Sequence, residues 1–221
     1  MLIVCGLKRE AAVFTDAVLA YGDGPTLRSK LDELSSHPLR MVISFGMCGG
    51  LDPALRRGDI VLGTEVLSRG ESVTPDAALT QALKRRLIDA GQRPCLGKIA
   101  DADAPILTRG EKSALRNATG ATAVDMESLA AGLFARTRGL PFAILRAVSD
   151  PADRDLPPLA LTAVDPQGRV NVRAVIGELI RSPSQFGRLI AAAVDSAAAT
   201  RALRRCSRLG GSFPDVLLPD L

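Results

Sequence analysis

The sequence has few of the side chains on which many enzymes and nucleic-acid-binding proteins depend. It contains no tryptophan, one tyrosine and one histidine, and aromatic residues make up 3% of its 221 residues. Stacking platforms for bases are therefore scarce, and despite a net charge of +4 no nucleic-acid partner is expected. His37 lies in a polar stretch typical of a loop. Histidine triads and metal sites are thus poor candidates, and the chemistry should depend on carboxylates, arginine, backbone amides or a cofactor.

The sequence also lacks paired cysteines and long apolar runs. Its four cysteines are scattered without the CxxC spacing of metal or redox sites, which favours reduced, packed thiols. The longest apolar runs, such as residues 41–45 and 140–145, fall far short of the roughly 20 residues that span a bilayer. The N-terminus shows no basic leader with a cleavage site, so no secretory signal is expected. We therefore expect a cytoplasmic protein.

Short aliphatic runs alternate with longer amphipathic ones, a pattern typical of strands and helices layered in an α/β fold. The pattern predicts strands at residues 2–6, 40–45, 59–67, 97–102, 121–124 and 142–148. It predicts helices at residues 10–19, 26–34, 76–90, 111–117, 128–138, 171–181 and 184–208. The expected fold is a single domain over residues 1–221, a three-layer α/β/α sandwich, with a basic helical extension from about residue 171 to 221.

Four predicted strand ends are unusually polar or rich in glycine: residues 46–50, 101–103, 125–128 and 146–150. Functional groups in such sheets collect at the carboxyl ends of strands, so these segments predict one common site. Each segment also has a structural interpretation. The glycine run is compatible with a turn, Asp125 and Ser128 with a helix cap, and Arg146 with an ordinary ion pair.

Read together, these segments resemble a known family. Residues 124–128, with the sequence VDMES, and residues 146–150, with the sequence RAVSD, resemble the paired signature of the nucleoside phosphorylases, in particular of the methylthioadenosine/S-adenosylhomocysteine nucleosidase branch. Residues 46–51 and 58–61 are similar to the glycine turn and following strand of that family. The likeness covers most of residues 1–150. It implies a mixed central sheet and an enzyme that cleaves the N-glycosidic bond of an adenosine-type nucleoside.

The resemblance implies a division of labour among acidic residues. Asp150 would protonate or hydrogen-bond N7 of the purine and accept a bond from a 6-amino group. A carboxyl group can donate near neutral pH only where burial raises its pKa, which a strand-end cleft allows. Glu127 would accept hydrogen bonds from the ribose hydroxyls, while Met126 packs against the sugar or simply fills the core. Glu10 would activate water, although a glutamate early in a helix is also ordinary helix composition.

The remaining expected site residues surround these four. Arg146 and Ser149 match the polar pair beside the nucleophile pocket in the family, and Asp103 matches an aspartate of its base-pocket loop. Further substrate contacts are expected from Asp125, Gly46, Met47 and Ile106. No cofactor is expected, although phosphate is a candidate co-substrate. Relatives are usually homo-oligomers, so an oligomer is expected here as well.

The sequence departs from the family in ways that bear on the nucleophile and the substrate. Ser44 and Met47 stand where phosphorolytic members typically carry an arginine and a serine, so water and phosphate both stay open. The shortened region before Met41, residues 156–158 and 165–169, and the Arg/Ala-rich C-terminal helix resemble the hopanoid-associated phosphorylases.

That subgroup implies adenine release from adenosylhopane, with the basic C-terminal helices as a candidate contact with an anionic membrane. The alternatives are a methylthioadenosine/S-adenosylhomocysteine-type nucleosidase and a non-catalytic nucleoside-binding protein of the same fold.

Overall fold

A computed structural model describes residues 1–15, 17–158, 165 and 186–207, with side chains of the last segment described from residue 194. The strands in these residues are β1 (Leu2–Cys5), β2 (Val18–Tyr21), β3 (Val42–Gly50), β4 (Ile60–Ser68), β5 (Glu71–Val73), β6 (Cys95–Asp101), β7 (Ala123–Asp125) and β8 (Phe142–Asp150). The helices are α1 (Lys8–Ala11), α2 (Gly24–Glu33), α3 (Ala77–Asp89), α4 (Arg109–Thr119), α5 (Ser128–Thr137) and α6 (Phe186–Ser207).

Helices cover both faces of one mixed sheet. Strand side chains alternate between the faces, so β1 contributes Leu2 and Val4 to a buried cluster with residues of α2 and α5. Ile3 and Cys5 of the same strand belong to the opposite cluster, with residues of α3 and α6. The continuous apolar run at the start of β8 is fully covered on both sides. The predicted α/β/α layering and mixed sheet are therefore confirmed.

Part of the sheet curls into a closed circuit, which the sequence did not predict. β8 pairs in parallel with β3 and antiparallel with β4, and β4 pairs in parallel with β6. β7 is parallel to β6 and antiparallel to the end of β3. In β3 and β8, Gly46 lies opposite Arg146 and Gly49 lies opposite Asp150. The circuit thus brings the two polar strand ends side by side.

The helix predicted over residues 10–19 is wrong. The chain forms only the four-residue α1 there and then β2, in which Val18 lies opposite Leu2 of β1. The apolar run around Val18 is compatible with the periodicity of a helix and with that of a strand. Pairing with β1 gives its backbone groups partners in the sheet, and β-branched Val18 suits a strand. The short strand β5 was also not predicted, and the helix predicted at residues 171–181 lies outside the described residues.

The C-terminal helix α6 is a layer of the core. Its buried face contains Ala199, Ala202, Leu203 and Cys206, while the basic residues Arg201, Arg204 and Arg205 are exposed. Asp195 is 1% exposed and lies 2.9 Å from Arg57 and 3.3 Å from Arg154. This helix therefore holds the loop after β8 in place. None of the helices in the described part of the chain is long and apolar enough to cross a membrane.

Candidate active site

A cavity of about 540 Å³ opens at the carboxyl ends of β1, β3, β6, β7 and β8. Most of the residues expected to form a site line it: Glu10, Met47, Ile106, Asp125, Met126, Glu127, Ser149 and Asp150. Arg146 lies beneath its floor, fully buried, and Gly46 lies behind Glu10 and Arg146. Asp103 is exposed and lines a neighbouring cavity of about 630 Å³ instead. Met126, Ala102 and Asp23 line both cavities, so the two are adjacent.

Arg146 organises the floor of the cavity. Its Nε lies 2.7 Å from Oδ2 of Asp125, and its Nη1 lies 3.0 Å from Oε2 of Glu127. The contact with Asp125 is a close ion pair but not an aligned hydrogen bond. Nη2 donates to the Ser44 hydroxyl at 2.6 Å and to the Ser128 hydroxyl at 3.2 Å. The guanidinium is thus occupied by the protein itself. The role of Ser44 as a partner of Arg146 was not predicted.

Glu10 faces Arg146 from the short helix α1, which follows β1. Its two carboxylate oxygens accept hydrogen bonds from the backbone amides of Leu7 and Met47, each at 2.9 Å. Burial raises the pKa of the Glu10 carboxyl, and the positive charge of Arg146 lowers it by less. Glu10 therefore combines a fixed orientation with raised basicity, as a general base requires.

Glu127 presents a free oxygen to the cavity. Its Oε2 pairs with Arg146, whereas its Oε1 has no hydrogen-bond partner in the described residues. Burial raises the pKa of Glu127, Arg146 lowers it, and the charges of Asp125 and Glu10 raise it further. Asp125 is engaged differently, since its Oδ1 accepts from the amide of Ser128 at 3.0 Å at the start of α5. Asp125 therefore acts as the predicted cap and as a partner of Arg146 at once.

Asp150 ends β8 and is 8% exposed. Its Oδ1 accepts a hydrogen bond from the Ser149 hydroxyl at 2.5 Å, and its Oδ2 lies 2.8 Å from Nζ of Lys112. Burial raises the pKa of Asp150, although Lys112 and Ser149 lower it. Lys112 was not predicted, because a lysine in an amphipathic helix ordinarily faces solvent. The one available signal was that Lys112 precedes Leu115, a half-buried residue of the same helix, by three positions, which places the two on one helix face.

Residues 46–50, for which a turn was one interpretation, are part of strand β3. Small residues are needed there because charged side chains approach the backbone closely. A Cβ at Gly46 would lie 2.7 Å from Nη1 of Arg146 and 2.9 Å from Oε2 of Glu10. At Gly6, a Cβ would lie 2.5 Å from Oε1 of Glu127. Within the described residues, no group of three or more acidic, cysteine or histidine side chains could hold a metal ion.

We expect Gly46→Ala to destabilise the protein by about 1–3 kcal/mol, because the new methyl group must displace two buried charged groups. Activity should fall as Glu10 and Arg146 move. Chemical denaturation measures the first effect. The matched control is Gly110→Ala in α4, where a Cβ meets only Thr108 Oγ1 at 3.9 Å and alanine favours the helix. Equal stability of the two variants would show that Gly46 is not sterically required.

The phosphorylase superfamily profile matches residues 8–181 of the chain. The chain is 28% identical over 172 residues to the 5′-methylthioadenosine/S-adenosylhomocysteine nucleosidase of Actinobacillus succinogenes, covering 69% of this chain and 68% of that protein. It is 29% identical over 139 residues to the nucleosidase of the same name from Shewanella halifaxensis, covering 53% of this chain and 59% of that protein.

A solved structure of the Helicobacter pylori 5′-methylthioadenosine/S-adenosylhomocysteine nucleosidase, with butyl-thio-DADMe-Immucillin-A, has the same fold. Its TM-score is 0.69 at 12% identity, covering 100% of this chain and 97% of that one. The profile match and the nucleosidase relatives identify an enzyme of N-glycosidic bond cleavage. The chain belongs to the phosphorylase superfamily.

Proposed function

We propose that the protein releases adenine from a 5′-substituted adenosine. The observation that carries the proposal is the arrangement of three carboxyl groups, Asp150, Glu127 and Glu10, around one cavity at the strand ends. Cleavage passes through an oxocarbenium-like state, which needs an acid for the leaving base, a holder for the sugar and a nucleophile for the anomeric carbon. Buried Asp150 supplies the acid, and the free Oε1 of Glu127 accepts from a ribose hydroxyl.

We propose water as the nucleophile, with Glu10 as its base. Phosphate binding needs several converging donors. The most suitable cation, Arg146, is fully buried and already donates to Glu127, Ser44 and Ser128. Glu10 would repel phosphate but can accept a proton from water. The relatives of this chain from Actinobacillus and Shewanella are also named as nucleosidases.

The proposed reaction is tested by measuring adenine release with and without inorganic phosphate. We expect the same rate in both, with free ribose derivative as the product, because water attacks in either case. A rate that rises with phosphate concentration and yields a ribose 1-phosphate would overturn the choice of nucleophile. No release of adenine from any 5′-substituted adenosine would overturn the function itself.

We propose adenosylhopane as the substrate, with its polycyclic group in the neighbouring cavity. That cavity is lined by apolar residues of α2 and α5, including Leu31, Leu133 and Phe134, and by charged residues such as Arg28 and Arg138. It meets the first cavity at Met126. An apolar group bound there leaves water at a gain of about 25 cal/mol per Å² buried. A methylthio or homocysteine group would fill far less of this space.

The substrate proposal predicts a selective effect of Leu133→Gln. We expect kcat/KM for adenosylhopane to fall about tenfold, since a polar amide replaces apolar contact, while the value for adenosine stays within twofold. Both substrates are assayed on the same variant, so adenosine is the internal control for folding. Equal losses for both substrates would contradict the assignment of this cavity to the 5′ substituent.

We further propose a cytoplasmic homo-oligomer with peripheral membrane contact through the exposed arginines of α6. Basic residues near an anionic surface contribute about 1 kcal/mol each. Flotation with phosphatidylglycerol vesicles at low salt, measured for the wild type and for Arg201→Glu/Arg204→Glu/Arg205→Glu, tests the membrane contact. Light scattering measures the oligomeric state. Equal flotation of the wild type and the variant would show that these arginines do not bind the membrane.

A further inference from the structure

A lysine is completely buried beside the proposed acid. Lys112 of α4 is 0% exposed, and its Nζ donates to the carbonyl oxygens of Pro151 at 2.9 Å, Arg154 at 3.0 Å and Asp150 at 3.2 Å. The same Nζ lies 2.8 Å from the carboxylate of Asp150. An ammonium group loses several kcal/mol of hydration when buried, so this arrangement needs a compensating role or compensating contacts.

The three carbonyl contacts fasten the end of β8 and the loop after it. They do not require a positive charge, because neutral donors also bond to carbonyl oxygens. The contact with Asp150 does depend on charge. An opposite charge at this distance stabilises the ionised form of a carboxyl group and so makes it a stronger acid. Lys112 therefore acts on the side chain that has to give up a proton to the purine in the proposed reaction.

We propose that Lys112 is a positioning residue that orients Asp150 and stabilises the carboxylate formed when Asp150 protonates the leaving purine. The inference rests on the proposed function. In that step the glycosidic C–N bond breaks with its electron pair going to the purine, and the proton of Asp150 moves to N7. The electron pair of the O–H bond stays on the Asp150 carboxylate, beside Lys112. Water forms the new C–O bond and gives its proton to Glu10.

The pH dependence of Asp150 has several contributors. It faces Lys112 of α4, Ser149 of β8, Cys48 of β3 and Asp195 of α6. Burial raises the pKa of Asp150 most, Lys112 and Ser149 lower it, and Asp195 raises it further. Removal of the lysine charge should therefore raise this pKa, so that the protonated acid persists to higher pH. The pH at which activity is lost on the alkaline side should therefore also rise.

Lys112→Gln is the decisive variant, because its amide keeps up to two N–H donors for the carbonyl oxygens while the charge is lost. We expect kcat for adenine release to fall about 10–100-fold with KM within threefold, since a weaker acid slows the bond-breaking step. The alkaline limb of kcat/KM should move up by about one pH unit or more. Lys112→Met should give the same shift, and Lys98→Met, at an exposed pair with Glu65, should give none.

Carboxyl NMR titration of Asp150 in wild type and Lys112→Gln gives a readout independent of turnover. A pKa of Asp150 that does not change would overturn the inference, as would a changed pKa with unchanged kcat. Added to Asp150→Asn, Lys112→Gln should slow the residual rate less than twofold, and a larger drop would mean that Lys112 acts elsewhere. A wild-type enzyme that releases no adenine would refute the proposed function, while the NMR titration still judges the effect of Lys112 on Asp150.

Discussion

Asp150→Asn is expected to lower kcat for adenine release about 10²–10⁴-fold, the usual contribution of a well-placed general acid. Asparagine has nearly the same shape, so the bond from Ser149 and the position of Lys112 should be retained. It has no acidic proton for N7, however, and the purine must leave as an anion. Coupled detection of free adenine over a range of pH measures the loss. The variant should also lose the alkaline limb that ionisation of Asp150 produces in the wild type.

Two comparisons make this expectation specific. Asp153→Asn, at an exposed position three residues further along the chain, should leave kcat within twofold of wild type. Calorimetric binding of adenosine to Asp150→Asn should persist with an affinity within about tenfold, because Glu127 still holds the sugar. Near-normal adenine release by Asp150→Asn would mean that another group protonates the purine.

Arg146→Met is expected to cost about 3–5 kcal/mol of folding free energy at pH 8. The substitution leaves the buried carboxyl groups of Glu10, Asp125 and Glu127 without their shared positive charge. It also removes the donor to Ser44 and Ser128. Methionine fills most of the space but offers no hydrogen bond. Urea denaturation at several pH values measures the cost.

The cost should decrease at acid pH. Burial already raises the pKa of Glu10 and Glu127 in the folded protein, and loss of Arg146 raises it further. The folded state then binds more protons than the unfolded state, so stability is greatest below about pH 4.5 and declines as the pH rises through the folded values. Arg136→Met, at a surface pair with Glu71 that is half-exposed, should cost at most about 1 kcal/mol at any pH. If the folding free energy lost in Arg146→Met did not change with pH, this account would be contradicted.

The layered fold was predictable because its strands are strongly apolar. Residues such as Ile43, Ile144 and Leu145 leave little choice but a strand covered on both faces. The segment around Val18 was not predictable, since apolar residues there suit a helix as well as a strand, and only pairing with β1 decides between them. The closed strand circuit depends likewise on contacts between distant segments.

Some of the site residues were likewise predictable from the sequence, and others were not. The strand-end position of Glu127, Ser149 and Asp150 follows from the order of the motifs, and the structure gathers these residues around one cavity. The buried position of Lys112 could not be predicted, because a helix sequence alone does not reveal that backbone carbonyls will enclose a lysine. Asp103 was expected to lie beside the purine base but lines the second cavity, although its neighbours Ala102 and Ala104 line the first.

The sharing of one guanidinium by several acids has a consequence for kinetics. Glu10 and Glu127 both respond to Arg146, and the charge of Glu10 itself affects Glu127. Their protons are therefore lost in macroscopic steps that belong to the pair and cannot be assigned to either residue. A sugar hydroxyl that binds Glu127 changes how strongly Glu10 holds its own proton. The acidic limb of a pH–rate profile should accordingly differ between free enzyme and enzyme saturated with nucleoside, even though no residue moves.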